Sequence, residues 1–171
     1  GCAEGDCGAC TIVVRELDRD GELKMRPVNA CIQLLPMMHG KEIVTVEHLS
    51  RAGKLHPVQQ AMAEGHGSQC GFCTPGIVMS LATSHLTGDA NHDDVLAGNL
   101  CRCTGYAPII RAAEKAWKMP IPEGFGVPNT CLPDPTVDLM RPDSSDALAA
   151  AYLATPNATL IAGATDVGLW A

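Results

Sequence analysis

The sequence predicts an α+β chain: a β-rich region bearing cysteines, then a helical region bearing cysteines, then the start of a third unit. Three observations carry this. Residues 1 to about 50 hold β-branched runs separated by turn residues. Residues 51 to about 120 switch to helical spacing, punctuated by caps and prolines. Eight of the nine cysteines fall into two sets of four, one set in each region.

In the first region, Thr11-Ile12-Val13-Val14 is a β-branched run and predicts a strand. Asp18-Arg19-Asp20-Gly21 is a turn signal, so a second strand is expected over 23–26. Residues 31–35 read as a short buried segment, and 42–46 as a further strand. In the second region, Pro57 suits the first position of a helix, with Gly65 just past its end. Thr74 as cap and Pro75 in the first turn open another helix, with Val78, Leu81, Ala82 and His85 on one face. Asn91 caps a third, closed by Gly98. Pro108 opens a fourth, with Ile109, Ala112, Ala113 and Ala116 to bury. Four short helices on short loops predict a small bundle.

A weak repeat relates Cys73-Thr74-Pro75 to Cys103-Thr104-Gly105-Tyr106-Ala107-Pro108. Each is a cysteine pair followed by Thr, Pro and a helix, so each unit is expected to supply two thiolates. Residues 121–142 are rich in Pro and Gly and read as a linker. Over 143–171, Ser144 or Ser145 caps a helix through residue 154. A strand is expected over 158–162, and Gly163 to Gly168 form a turn.

Bulk properties exclude several classes. With 171 residues and 46% hydrophobic content the chain is not disordered. A net charge of −7 leaves no basic footprint for nucleic acid. No apolar run is long enough to span a membrane, and no secretion signal is visible. Seven Met and the loop-like cysteine spacings fit a reducing cytoplasm rather than a disulfide framework. The chain starts without Met, inside a cysteine loop, and reads as an internal fragment. On that reading the partners of the 11–14 strand are expected to be missing, and the first cysteine set is expected to be the less stable.

The first set is Cys2, Cys7, Cys10 and Cys31. Its C-x4-C-x2-C opening with a later fourth cysteine is the plant-type ferredoxin arrangement for a [2Fe-2S] cluster. The second is Cys70, Cys73, Cys101 and Cys103, a C-x2-C followed by a C-x-C. Iron in such clusters takes soft thiolate ligands, two per iron. Gly5, Gly8, Ala3 and Ala9 leave room for backbone N–H groups to approach sulfur. Zinc is the rival metal for any set of four cysteines, although C-x-C is awkward for a zinc ribbon. Two clusters on one chain make a redox relay. Cys131 reads as a silent free thiol, and the six His as surface or packing residues. Spacing gives Gln69 no role, and the glycines at 163 and 168 alone read as a bland turn.

Three motifs resemble the iron–sulfur part of the xanthine dehydrogenase family of molybdenum hydroxylases. They are Gly1-Cys2-Ala3-Glu4-Gly5-Asp6-Cys7-Gly8-Ala9-Cys10-Thr11, Gln69-Cys70-Gly71-Phe72-Cys73-Thr74-Pro75-Gly76 and Asn99-Leu100-Cys101-Arg102-Cys103-Thr104-Gly105-Tyr106. Leu160, Ile161, Ala162, Gly163, Ala164, Thr165, Asp166, Val167 and Gly168 resemble the family's first flavin-contacting loop. The arrangement is similar to the iron–sulfur/FAD small subunit of the bacterial type. The resemblance implies a truncated β-grasp [2Fe-2S] ferredoxin domain (1–50), a four-helix [2Fe-2S] domain (51–120), a linker (121–142) and the beginning of an α+β FAD-binding domain (143–171). It implies that Gln69 contacts a molybdenum–pterin held by a molybdopterin-binding large subunit, with the Cys70 set as first acceptor. FAD and then NAD+ follow. The expected reaction of the complete enzyme is hypoxanthine and xanthine to urate, a step of purine catabolism. An aldehyde or N-heterocycle hydroxylase of the same group and a stand-alone two-cluster carrier are the alternatives. The fragment itself is expected to hold no catalytic residue.

Overall fold

The computed structural model describes residues 1–18, 20–124, 140 and 142–162. β1 (Thr11–Leu17) and β2 (Leu23–Asn29) form an antiparallel hairpin running in register from Thr11 opposite Asn29 to Leu17 opposite Leu23. The turn is held by Asp18, whose Oδ1 accepts the N–H groups of Asp20 at 3.0 Å and Glu22 at 2.9 Å. This is the short-range bonding that suits Asp to turns. Pro27 cannot donate to a ladder and accordingly sits on an edge strand.

β3 (Glu42–Val44) pairs antiparallel with the other edge of β1, giving the order β2-β1-β3. β1 is therefore central and paired on both sides. The expectation that its partners are missing is corrected, because β3 returns to fill the second edge. Arg15, almost wholly buried, reaches Glu42 across that edge at 2.8 Å. β3 ends earlier than its β-branched sequence predicts. From Val46 the chain enters a 3-10 turn, Val46–Leu49, and the Val46 carbonyl accepts from the Gln59 side chain at 3.0 Å. Residues 31–35 are only partly buried: Ile32 is inside, whereas Leu35 is 82% exposed. Two 3-10 turns, Ala30–Ile32 and Leu35–Met38, make up most of this stretch.

The helices start near the expected residues, but the third stops short of its expected end. α1 (Pro57–Glu64) starts on Pro57 and stops at Gly65. α2 (Thr74–Thr87) has Cys73, rather than Thr74, at its cap and ends on Gly88 in the left-handed conformation. α3 (His92–Val95) is one turn long and stops at Val95, with Leu96 rather than Gly98 at its end, and α4 (Ala107–Trp117) follows. Only one face of α2 is expected to be buried, but all residues from Gly76 to His85 are buried. A helix that is apolar all round belongs inside. α2 packs on β1 and β2 with one side and on α1, α3 and α4 with others. One continuous core results, from Val13 and Val44 of the sheet through Ile77, Met79 and Leu81 to Ile109 and Ala113 of α4.

α5 (Ser145–Ala154) is capped by Ser144, whose hydroxyl accepts the Ala147 N–H at 3.2 Å. Residues 158–162 form no strand. A strand needs a neighbour to take up its backbone groups, and none pairs with this segment among the described residues. Most of the predicted linker, Cys131 included, and residues 163–171 lie outside the described residues. No helix among the described residues is long and apolar enough to cross a membrane.

Candidate metal centres

The first loop wraps around the sulfur of Cys2. That sulfur accepts the N–H groups of Glu4 at 3.4 Å, Asp6 at 3.3 Å and Cys7 at 3.4 Å. Ala3, Gly5 and Gly8 have φ of 60°, 76° and 69°, turning successive amides inward. At Gly5 an added Cβ would lie 2.6 Å from Ile32. These N–H groups, Glu4 first, lower the Cys2 thiol to about 7 and so favour the thiolate.

Cys31 comes from the far end of the hairpin. The register that sets Thr11 opposite Asn29 carries the chain back past the loop. There the Ala30 N–H donates to the Cys10 carbonyl at 3.3 Å, and the Cys31 N–H reaches the Cys10 sulfur at 3.4 Å. Burial, then the neighbouring Cys10 thiol, push the Cys31 thiol up.

In the second set, Gly71 at φ 84° lets the chain turn between Cys70 and Cys73. Cys73 then sits at the N-cap of α2. Cys101 is buried, Cys73 half-buried, and Cys70 and Cys103 exposed. Burial raises the Cys73 thiol to about 11. The Phe72 N–H, ahead of Cys103, lowers Cys70, while the Cys70 thiol raises Cys103. Burial alone would raise Cys101. The Thr104 hydroxyl, 3.1 Å from its sulfur, and the Thr104 and Cys103 N–H groups outweigh it and bring the thiol down.

Thiol–thiol hydrogen bonds join Cys2 to Cys7, Cys10 to Cys31, Cys70 to Cys103 and Cys73 to Cys101, while charge interactions link Cys31 to Cys2 and Cys70 to Cys101 across these pairs. Among the described residues no three His, Cys, Asp or Glu side chains are disposed around a single ion. A binuclear cluster takes its thiolates in pairs, two per iron. The soft donors, their pairing and the amides aimed at sulfur therefore fit a [2Fe-2S] group at each set.

Gln69 is exposed directly beside Cys70. Leu160 and Ile161 line a cleft of about 640 Å³ with Leu148 and Tyr152 of α5 and Leu34 and Met37, and Ala162 is exposed. Residues 163–168 of the flavin-like motif lie outside the described residues. Sequence reasoning assigned nothing to Asn99, Thr104 and Tyr106 individually. Yet the Tyr106 hydroxyl accepts the Cys101 N–H and donates to the Asn99 carbonyl, both at 2.8 Å. Tyr106 holds φ 66° at the cap of α4, a left-handed conformation that is uncommon for a bulky residue. Only the spacing Asn-x-Cys-x-Cys-x2-Tyr could have marked this group.

The family described as the [2Fe-2S] binding domain matches residues 45–114, a stretch holding the second cysteine set but not the first. The xanthine dehydrogenase of Blastobotrys adeninivorans is 53% identical over 119 residues, 66% of this chain and 8% of that protein. Aldehyde oxidase 1 of Cavia porcellus is 48% identical over 120 residues, 67% of this chain and 9% of that protein. The chain thus spans under a tenth of the length of these curated relatives. Among solved structures, quinoline 2-oxidoreductase from Pseudomonas putida 86 superimposes with a TM-score of 0.56 at 36% identity, covering 68% of this chain and 72% of that one. Aldehyde oxidoreductase from Desulfovibrio gigas gives 0.58 at 35% identity, covering 68% of this chain and 13% of that one. With its two paired thiol sets on a mixed α/β frame, this chain belongs to the xanthine dehydrogenase family of molybdenum hydroxylases.

Proposed function

We propose that this chain is the electron-carrying part of a molybdenum hydroxylase, an oxidoreductase of the xanthine dehydrogenase kind. The observation that carries the reading is the pairing of thiols at each set, with backbone N–H groups directed at sulfur. Cys2, Cys7, Cys10 and Cys31 would hold one [2Fe-2S] cluster, and Cys70, Cys73, Cys101 and Cys103 a second. When bound, each cluster supplies one-electron chemistry. The chain's part is to fix the thiolates, stabilise their charge with amides and hold the two loops together.

The finer reading follows from the resemblance. Residues 1–50, 51–120, 121–142 and 143–171 divide the chain into ferredoxin-like, helical, linker and FAD-binding parts. Gln69, exposed beside Cys70, faces a molybdenum–pterin on a large partner subunit. Electrons from hypoxanthine or xanthine enter there and leave through FAD, gripped in part by residues 160–168, to NAD+. The eight cysteines among the described residues are all free, which suits a reducing cytoplasm. A second reading, an aldehyde or N-heterocycle hydroxylase, is favoured by the likeness to aldehyde oxidase 1 and to quinoline 2-oxidoreductase.

The test is spectroscopic. The reduced complete enzyme should give two distinguishable paramagnetic iron–sulfur signals, and turnover with xanthine, aldehydes and quinoline separates the substrate classes. Zinc at both sites after anaerobic reconstitution with iron and sulfide would refute the reading.

A further inference from the structure

Two consecutive carbonyls of the first cysteine loop are held by two consecutive residues of the second. The Leu100 N–H donates to the Cys7 carbonyl at 2.9 Å. The Asn99 side-chain amide donates to the Gly8 carbonyl at 3.1 Å. Cys7 belongs to the first set, and Leu100 is bonded directly to Cys101 of the second. One hydrogen bond therefore separates a ligand-bearing residue of one set from the neighbour of a ligand-bearing residue of the other.

Asn99 has every polar group engaged, although it is only 3% exposed. Its Oδ1 accepts from Ser80 of α2 at 2.7 Å. Its Nδ2 donates to Gly8 and also to Thr11 Oγ1 at 3.3 Å. Its backbone N–H donates to Leu96 at 2.9 Å, and its carbonyl accepts from Tyr106, which also binds the Cys101 N–H. Thr11 in turn donates to the Gly8 carbonyl at 2.7 Å. A satisfied buried network of this kind fixes one geometry, and a broken one is costly. The local fold needs less than this. α2 is seated by its apolar surface, and the first loop by the hairpin and Cys31. What Asn99 adds is the fixed relation between the two cysteine loops.

We propose that Asn99 is a positioning residue for electron exchange between the two sets, clamping the loops so that the Cys7 carbonyl meets the Leu100 N–H. This rests on the reading that both sets carry [2Fe-2S] clusters. The exchange moves one electron from the reduced centre to the oxidised one. No bond forms or breaks, and no proton moves.

The test uses the complete enzyme carrying Asn99→Ala and, separately, Thr11→Val, which removes one partner of the clamp and leaves the Ser80–Asn99 bond to α2 in place. Iron content is measured first. The mutual splitting of the two reduced iron–sulfur signals at low temperature is measured next. The rate of electron equilibration between the centres after pulsed reduction is the third readout. Asn99→Ala should retain its iron, lose the splitting and slow the equilibration, with Thr11→Val in between. Unchanged splitting and rate in both iron-loaded variants would overturn the proposal. So would loss of iron from Asn99→Ala together with unchanged splitting in Thr11→Val, which would make Asn99 merely a structural residue. Failure of the underlying two-cluster reading is distinguishable, since the unsubstituted enzyme would then lack one of the two signals.

Discussion

Gly76 of α2 faces Gly8 of the first cysteine loop so closely that a Cβ on Gly76 would lie 1.9 Å from the Gly8 carbonyl oxygen. The reverse substitution is equally excluded, since a Cβ on Gly8 would lie 2.2 Å from the Gly98 carbonyl. Backbone meets backbone here, and no side chain fits. Gly76→Ala gains up to about 1 kcal/mol of helix propensity. It should nevertheless lose stability by about 1–3 kcal/mol, because the loop must be driven off the helix. Urea unfolding checks the stability. Iron analysis should show loss from the first set before the second.

Each thiol set should be separable from the other. Cys31→Ser and Cys101→Ser should each lower bound iron from about four to about two per chain, as two irons per four-cysteine centre require. Each variant should keep one of the two paramagnetic signals. Loss of all iron in both would mean that the sets are not independent centres. One ground for expecting the first set to be the weaker was a missing partner for the 11–14 strand. That ground is gone, because β1 is paired on both edges.

Stability should fall on acidification through His56. Its ring Nδ1 accepts the Val58 N–H at 3.2 Å, while the His56 backbone N–H donates to Gln59 Oε1 at 2.9 Å, a reciprocal cap on α1. The ring also meets His85 edge to face at 5.5 Å. Burial first, then the charge of His85, bring its pKa from 6.5 down to about 4. The unfolded chain therefore takes up a proton that the native state refuses. The His56 contribution is complete above pH 6.5 and is lost as pH falls toward 4, by about 3 kcal/mol. His56→Asn keeps a capping acceptor but has no titrating ring. Its unfolding free energy, measured against pH, should be flatter than that of the parent across this window, and identical slopes would refute the assignment.

Gln69→Ala tests the inferred pterin contact. In the complete enzyme, substrate-driven reduction of the clusters should slow by up to about tenfold, the equivalent of one lost hydrogen bond. Iron content should be unchanged, because Gln69 is exposed and binds no thiol of its own chain among the described contacts. Stopped-flow absorbance reads the rate, and an unchanged rate removes Gln69 from the site.

Much of this protein was legible in its residues. Asp18 and Asp20 with Gly21 marked the hairpin turn, and Pro57, Gly65, Asn91 and Pro108 marked helix ends. These are local rules, satisfied within a few residues. The cysteine spacings pointed to paired thiolates for the same reason, since a tight loop alone brings Cys2, Cys7 and Cys10 together. Where local propensity met a distant neighbour, it was overruled. Val46 left its strand to meet Gln59, α2 buried every face instead of one, and residues 158–162 found no strand to pair with. Cys31 joins the first loop only through the register of β1 and β2. Asn99 has a role only because α2, the first loop and the Tyr106 turn converge on it. The sequence by itself determined which chemistry the chain carries, because soft ligands and their spacing are written locally. The tertiary structure alone decided how the two cysteine loops face each other, because their contact runs through a buried side chain whose partners lie up to 91 residues away.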